Sequence, residues 1–352
     1  MLDPKDYQRL FQIELKYLIS DLFAQHYKTL ECLLICNNGL WTSYLPKRVV
    51  EQTMKDGQKL FESRELFKQF ENDFRKYTFE AKATFEKILS QNLTEQNAER
   101  FLYTVADLWK FYSKTEFFYT DGAAQAKSSE NLSNNLKAFE QIKSDGRLML
   151  NALIFEENNY FNRFLSKVSE KFNIGTKELQ YYSIKEILDL FNDKRVLDET
   201  IAKRKEFFFK QGMGGNIIYG EGEELRAKFN HFLRDDKAEL KGVVANKGKV
   251  RGKVKIFPPS YYSDFSILKK LIGEMEKGDI LVAETTSPEL MPACQKAGAI
   301  LTNQGGMLSH AAIVSRELNI PCIVGLGNVV QILKDGMEVE IDANTGTVKI
   351  LK

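Results

Sequence analysis

Thr302-Asn-Gln-Gly-Gly-Met-Leu-Ser-His-Ala-Ala-Ile-Val-Ser-Arg-Glu-Leu-Asn-Ile-Pro-Cys-Ile-Val-Gly325 joins an apolar strand to a helix through a glycine turn, and a single histidine stands at the join. Residues 299–302 read as the end of a short buried strand, and Gly305-Gly306 as a turn that needs unusual backbone angles or close approach by a ligand. Ser309 is a good N-cap; Ala311, Ala312, Ile313, Val314 and Leu318 give the apolar face of a helix, and Asn319 with Pro321 stops it. His310 therefore lies in the first helical turn. There the backbone N–H groups lack intrahelical partners and carry the positive end of the macrodipole, which suits a phosphate. The same positive end favours a neutral imidazole with a lone pair available to attack phosphorus. Gly305 and Gly306 let the backbone approach phosphoryl oxygens, and Arg316, about two turns on, offers a planar fork of donors to the same anion. A histidine in a capping turn is in most proteins only a surface or capping residue, so the surrounding pattern has to decide.

That pattern closely resembles the phosphohistidine motif of the enzymes that use phosphoenolpyruvate: phosphoenolpyruvate synthase, pyruvate phosphate dikinase, enzyme I of the sugar phosphotransferase system and rifampin phosphotransferase. The shared form T-x-x-G-G-x-x-S-H-A-A-I-V-x-R-E-x-x-I-P-x-x-V-G runs unbroken from Thr302 to Gly325. The resemblance covers residues 240–352, with Gly242-Val-Val-Ala-Asn-Lys-Gly-Lys-Val-Arg-Gly252 at its start and Asp342-Ala-Asn-Thr-Gly-Thr-Val348 at its end. It implies a swivelling β/β/α domain in which His310 carries a phosphoryl group between two distant active sites. Thr302, Gly305, Gly306, Ser309 and Arg316 would hold the phosphoryl oxygens, without a metal of this domain's own. Pyruvate phosphate dikinases have a regulatory threonine two residues before the histidine; Leu308 stands there, which excludes that mode of control.

Composition sets the outer limits. A length of 352 residues suggests two or three domains. Fifty basic against 48 acidic residues, spread along the chain, give no field of one sign that would argue for nucleic acid or membrane. No secretory leader and no membrane span is read, and the expected location is the cytoplasm. Four cysteines are too few for a disulfide framework, and Cys32 and Cys36 lack the second pair of a zinc site. Their spacing fits one face of a helix, and all four, with Cys294 and Cys322, are expected to be buried structural thiols. His26 and His231 sit in helical patterns without partner constellations, leaving His310 as the catalytic candidate.

The composition breaks near residue 240: 23 of the 25 Phe precede it, 12 of the 22 Gly follow it, and no proline occurs between Pro46 and Pro258. A long proline-free, glycine-poor, aromatic-rich segment predicts stacked helices, so residues 1–235 read as an all-α helical domain. Helical spacing is read over 7–35, 48–77 and 78–90, from an N-cap at Thr94 to 112, over 132–172, and over 197–210, with a turn around Asn37-Asn-Gly-Leu-Trp41. Ser183-Ile-Lys-Glu186 is a capping box. Small polar residues around 121–130 mark an exposed loop or an inner boundary. Gly212-Met-Gly-Gly215 lacks the strand and spacing of a nucleotide loop and reads as a turn into the strand-like Asn216-Ile-Ile-Tyr219. The aromatic run Phe207-Phe208-Phe209 is assigned to packing. Beyond the polar join at 234–239 the period changes: strands at 243–244, 250–257, 279–283, 299–302, 322–324, 337–342 and 347–350 alternate with helices at 263–276, 288–297 and after Ser309. The expected fold class is thus multidomain α + α/β, an N-terminal all-α domain at 1–235 followed by a C-terminal β/β/α swivelling phosphohistidine domain at 240–352.

Transfer to and from a histidine needs a nucleotide site with Mg²⁺ and an acceptor site. Neither is recognised in the 352 residues, which contain no Gly-x-x-x-x-Gly-Lys-Ser/Thr motif. No tightly bound cofactor is expected of this chain itself. ATP and Mg²⁺ are expected at the site of a separately encoded ATP-grasp (nucleotide-binding) partner, and the acceptor is expected to be a small molecule. A protein of another class, a non-catalytic binding or regulatory module that keeps the swivelling fold, fits the same motif.

Overall fold

A computed structural model describes residues 2–115, 118–123, 130–156, 158–233, 240–258, 265–307 and 309–351. The sequence-based join at 234–239, most of the 121–130 boundary, Pro259, Ser263 and Leu308 lie outside the described residues. The chain divides into two compact units, residues 1–8 with 14–231 and residues 9–13 with 232–352.

The first unit contains the helices α1 (Tyr17–Tyr27), α2 (Lys47–Glu62), α3 (Arg64–Ser90), α4 (Glu95–Thr115), α5 (Phe118–Ala123), α6 (Glu130–Leu150), α7 (Tyr160–Phe172), α8 (Thr176–Leu179), α9 (Ile184–Asp189), α10 (Asp198–Glu206) and α11 (Glu223–Arg226), and the short α12 (Asn230–Leu233) spans the division between the units. Several start where local chemistry says they should. The Thr94 hydroxyl accepts from Asn97 N at 3.2 Å, and Ser183 and Glu186 close the capping box reciprocally at 3.2 and 2.7 Å. The core gathers Leu18, Leu22, Phe85, Phe101, Leu102, Phe164, Leu179 and Tyr182, with Phe101 stacked on Phe164 at 4.2 Å between ring centroids. Each such burial contributes about 1.5–3 kcal/mol.

The all-α reading of this half needs correction. Strand β1 (Tyr7–Glu14) has residues in both units, and β2 (Leu33–Asn37), β3 (Leu40–Pro46), β4 (Phe207–Met213) and β5 (Asn216–Glu221) form a sheet of the first unit in the order β3-β2-β4-β5. The reason is burial on both faces. Leu33 to Cys36 are all buried, as are Phe207 and Phe208, and a central strand covered on both sides loses the period of two that would separate it from a helix. The turn at Asn38-Gly39 is the two-residue loop of a β-hairpin. Its φ values of 50° and 81° are those an Asn-Gly pair accepts readily. Cys32 and Cys36 accordingly lie along an extended segment rather than on a helix face, though all four cysteines are free and buried. Gly214-Gly215 does turn into the strand at 216, and the stretch read as a helix over 197–210 splits into α10 and β4.

The second unit is built on β6 (Val243–Asn246), β7 (Lys249–Phe257), β8 (Ile280–Ala283), β9 (Ala299–Thr302), β10 (Cys322–Val324), β11 (Glu338–Asp342) and β12 (Thr347–Ile350). Their order is β12-β11-β7-β8-β9-β10-β6. Strand β7 serves two ladders: its first half, 249–253, pairs antiparallel with β11, and its second half, 254–257, pairs parallel with β8. Strands β8, β9 and β10 continue parallel and β6 closes the edge antiparallel. Helices α13 (Phe265–Glu274), α14 (Met291–Lys296), α15 (His310–Glu317) and α16 (Val329–Ile332) complete it, α15 packing on β6, β9 and β10. Val254, Ile280, Val282, Leu301, Ile323, Val339 and Ile341 form its core. Parallel strands buried on both faces explain why 280–283 and 299–301 are uninterruptedly apolar.

Candidate functional site

The site grows from the carboxyl ends of two neighbouring parallel strands, β8 and β9, whose last residues Ala283 and Thr302 are in register. Loops at that edge face the same side, which is where open parallel sheets present ligand groups. After β9 the chain is pinned before it turns. Thr302 is buried and its hydroxyl donates to the Gln304 carbonyl at 2.5 Å. Gln304 returns two bonds to Glu284, from its backbone N to the carbonyl at 3.0 Å and from its side-chain amide to the carboxylate at 3.0 Å. Asn303 donates to the same carboxylate at 2.5 Å and accepts from Val330 N at 3.0 Å. Glu284 is wholly buried and also receives Arg9, at 3.1 Å, and Gln12 N, at 3.0 Å, from the 9–13 segment of this unit. Burial pushes its carboxyl above the usual range, against the pull of Arg9 and of these amide donors.

With the strand end fixed, Gly305 makes the turn at φ +121°, where a Cβ would stand 2.9 Å from Ser309 Oγ. Glycine is required there for both reasons. Ser309 N donates to the Gly306 carbonyl at 3.0 Å, and its hydroxyl accepts from Ala312 N at 3.3 Å, capping α15 as the sequence predicts. His310 is the first residue of the helix and is half-buried. Arg316 does reach back: its Nη2 donates to the Met307 carbonyl at 2.8 Å, so the guanidinium ties the loop from the last turn of the helix. The structure thus places Gly305, Gly306, Ser309, His310 and Arg316 on one loop-helix unit. Thr302 lies beneath it, with its hydroxyl directed into the turn.

Thr286 is the residue sequence reasoning missed. Its hydroxyl stands 2.9 Å from His310 Nδ1, and the side chain is buried. Twenty-four positions separate the two, and no local pattern couples them. The signal available was topological: Thr286 follows β8 as His310 follows β9, and adjacent parallel strands bring the loops at their carboxyl ends together. With the ring N–H on Nδ1 donating to Thr286, the ring is held in one orientation and the lone pair falls on Nε2. His26 contrasts with this. It bonds Ser113 at 3.3 Å inside the first unit, and burial, with Lys110 adding to it, lowers its pKa to about 4.

Comparison with known proteins finds relatives of the segment that holds this site. Residues 275–346 match the family model of the PEP-utilising enzyme mobile domain. A probable phosphoenolpyruvate synthase of Archaeoglobus fulgidus is 46% identical over 114 residues, 32% of this chain and 14% of that protein. One from Methanothermobacter thermautotrophicus is 43% identical over 126 residues, 36% of this chain and 16% of that protein. The phosphoenolpyruvate synthase of Aeropyrum pernix is 42% identical over 154 residues, 43% of this chain and 18% of that protein. The chain therefore aligns with less than a fifth of the length of these relatives. Residues 275–346 of this chain are thus similar to the mobile domain of the PEP-utilising enzyme family.

Proposed function

We propose that this protein is a phosphotransfer component of a system like phosphoenolpyruvate synthase or the dikinases, carrying a phosphoryl group on His310 between an ATP-grasp partner and a small-molecule acceptor. The observation that carries the reading is the Thr286–His310 pair at 2.9 Å on a glycine-turned helix start. It orients the ring, and with the N–H on Nδ1 it puts the lone pair on Nε2, the nitrogen proposed as nucleophile. In the first half-reaction the Nε2 lone pair bonds to the β-phosphorus of ATP as its P–O bond to AMP breaks and AMP leaves; water then cleaves the bond to the γ-phosphate, which departs as inorganic phosphate and leaves one phosphoryl group on the ring. In the second the acceptor oxygen bonds to phosphorus as the N–P bond breaks and the ring regains its lone pair. Backbone N–H groups of the first turn of α15, the Ser309 hydroxyl proton and the remaining guanidinium N–H groups of Arg316 would contact the phosphoryl oxygens. Gly305 and Gly306 would let them approach, and Thr302 would keep the turn in shape. ATP and Mg²⁺ would bind at the partner's site, where positioning and charge neutralisation drive transfer. We place the protein in the cytoplasm, where that nucleotide is abundant; among the described residues no helix is long and apolar enough to cross a membrane.

The test is incubation with an ATP-grasp protein and ATP labelled at the β-phosphate. A label that is lost in acid, is stable in base and disappears in His310→Ala is expected. Label retained by His310→Ala overturns the assignment.

A further inference from the structure

The edge of the N-terminal sheet formed by β5 carries no protection against pairing. Met213 and Asn216 face each other across the Gly214-Gly215 turn, and the pairing with β4 continues without a bulge to Phe208 and Glu221. Such a two-residue hairpin makes its first facing pair a hydrogen-bonded one, so residues 216, 218 and 220 bond inward, and the Gly222 N to Phe207 O bond at 2.9 Å shows the same alternation. The N–H and C=O groups of Ile217, Tyr219 and Glu221 therefore point away from β4, along the terminal strand of the sheet. Among the described residues no turn, loop or cap bond takes them up. Asn216-Ile-Ile-Tyr-Gly-Glu221 contains neither lysine nor proline, the residues that usually blunt such an edge. It also displays apolar side chains, with Tyr219 60% and Ile218 44% exposed.

We infer that β5 pairs antiparallel with β5 of a second copy of this chain, about a two-fold axis at Tyr219. This register joins all three outward positions of each strand: Tyr219 faces the partner's Tyr219, and Ile217 faces the partner's Glu221. The central pair is aromatic on aromatic, a favourable cross-strand match. Glu221, the strand's single charge, lies four residues from its symmetry mate along the ladder, about 13 Å and beyond the Debye length of about 8 Å at physiological salt. Sliding the strands to oppose Glu221 with its mate would set like charges face to face and leave fewer pairs. An edge of six residues with two exposed apolar side chains buries less than the roughly 1,000 Å² of a stable interface, so the dimer is reversible and depends on concentration. Each dimer presents two His310 sites.

Sedimentation velocity of the full chain from low to high micromolar concentration tests this. Wild type should shift from monomer toward dimer as concentration rises. Tyr219→Lys and Tyr219→Glu, at a position exposed enough to spare the fold, should each remain monomeric, and mixing the two in equal amounts should restore the dimer. A wild type that stays monomeric throughout, or a dimer that persists in each single variant, overturns the inference.

Discussion

Replacing Thr286 with valine isolates the contribution of one hydroxyl to the chemistry of His310. The two side chains have nearly the same shape and Thr286 is buried, so the change removes the 2.9 Å bond to Nδ1 with little repacking. Leaving a buried polar group without its partner costs about 1–3 kcal/mol. If that cost is felt in the transition state, it corresponds to a roughly 10- to 100-fold slower reaction at Nε2. The loss should also be qualitative, because a ring no longer held at Nδ1 can present that nitrogen instead. Phosphoramidate phosphorylates histidine without any partner protein, and phosphorus NMR separates the two ring isomers. Wild type should give the Nε2 product alone; Thr286→Val should react about 10–100 times more slowly and yield some Nδ1 product. Unchanged rate and unchanged isomer in Thr286→Val would refute the orienting role, and Thr286→Ser should largely restore wild-type behaviour.

Gly305→Ala should destabilise the C-terminal unit by about 2–4 kcal/mol, the sum of a strained backbone and a disturbed helix cap, because its φ is +121° and the new Cβ would meet Ser309 Oγ at 2.9 Å. Hydrogen exchange over residues 299–325 would report it, and protection equal to wild type would count against the strain argument. In the other unit, the Lys210 side chain is 1% exposed, bonds Asp21 at 2.8 Å and lies 3.7 Å over the Tyr17 ring. Lys210→Met strands that carboxylate and should cost about 3–5 kcal/mol, while Lys210→Met with Asp21→Asn should recover most of it. Urea unfolding followed by tryptophan fluorescence measures this unit alone, since Trp41 and Trp109 are the chain's two tryptophans. A double variant no more stable than the single would contradict the pairing. Burial lowers the Lys210 pKa from 10.5 to about 8. Across that window the unfolded chain keeps a proton the folded one has lost, so this residue's contribution to stability rises with pH between those values. Wild type should therefore gain on Lys210→Met as pH climbs from 8 toward 10.5, and a flat difference would argue against the shift.

What the sequence made legible follows from where its signals are local. Ser309, Ser183 and Thr94 each announced a helix start because a cap is a contact between residues three apart, and each caps in the structure. The strands of the C-terminal unit were legible because short apolar runs there alternate with helices and are bounded by glycine and proline. The N-terminal strands were not. In β2 the apolar run is continuous, and in β4 Lys210 lies in mid-strand, buried and paired with Asp21, in a stretch whose charges read as a helix. Asn38-Gly39 carried the hairpin signal plainly; an abundance of phenylalanine outweighed it. Thr286 was missed for a different reason, since its partnership with His310 exists only once β8 and β9 lie side by side.

The double duty of β7 also constrains how this unit can form. Its first half waits for β11, with Arg251 and Glu340 meeting across 89 positions of sequence, while its second half needs β8 after an intervening helix. Neither ladder can be completed by local zipping, and the entropy of closing the longer loop is lost before its contacts compensate. The C-terminal unit should therefore fold late and slowly relative to the helix-rich one, the loop before His310 acquiring its shape only when the last residues of the sheet have returned to strand 249–257.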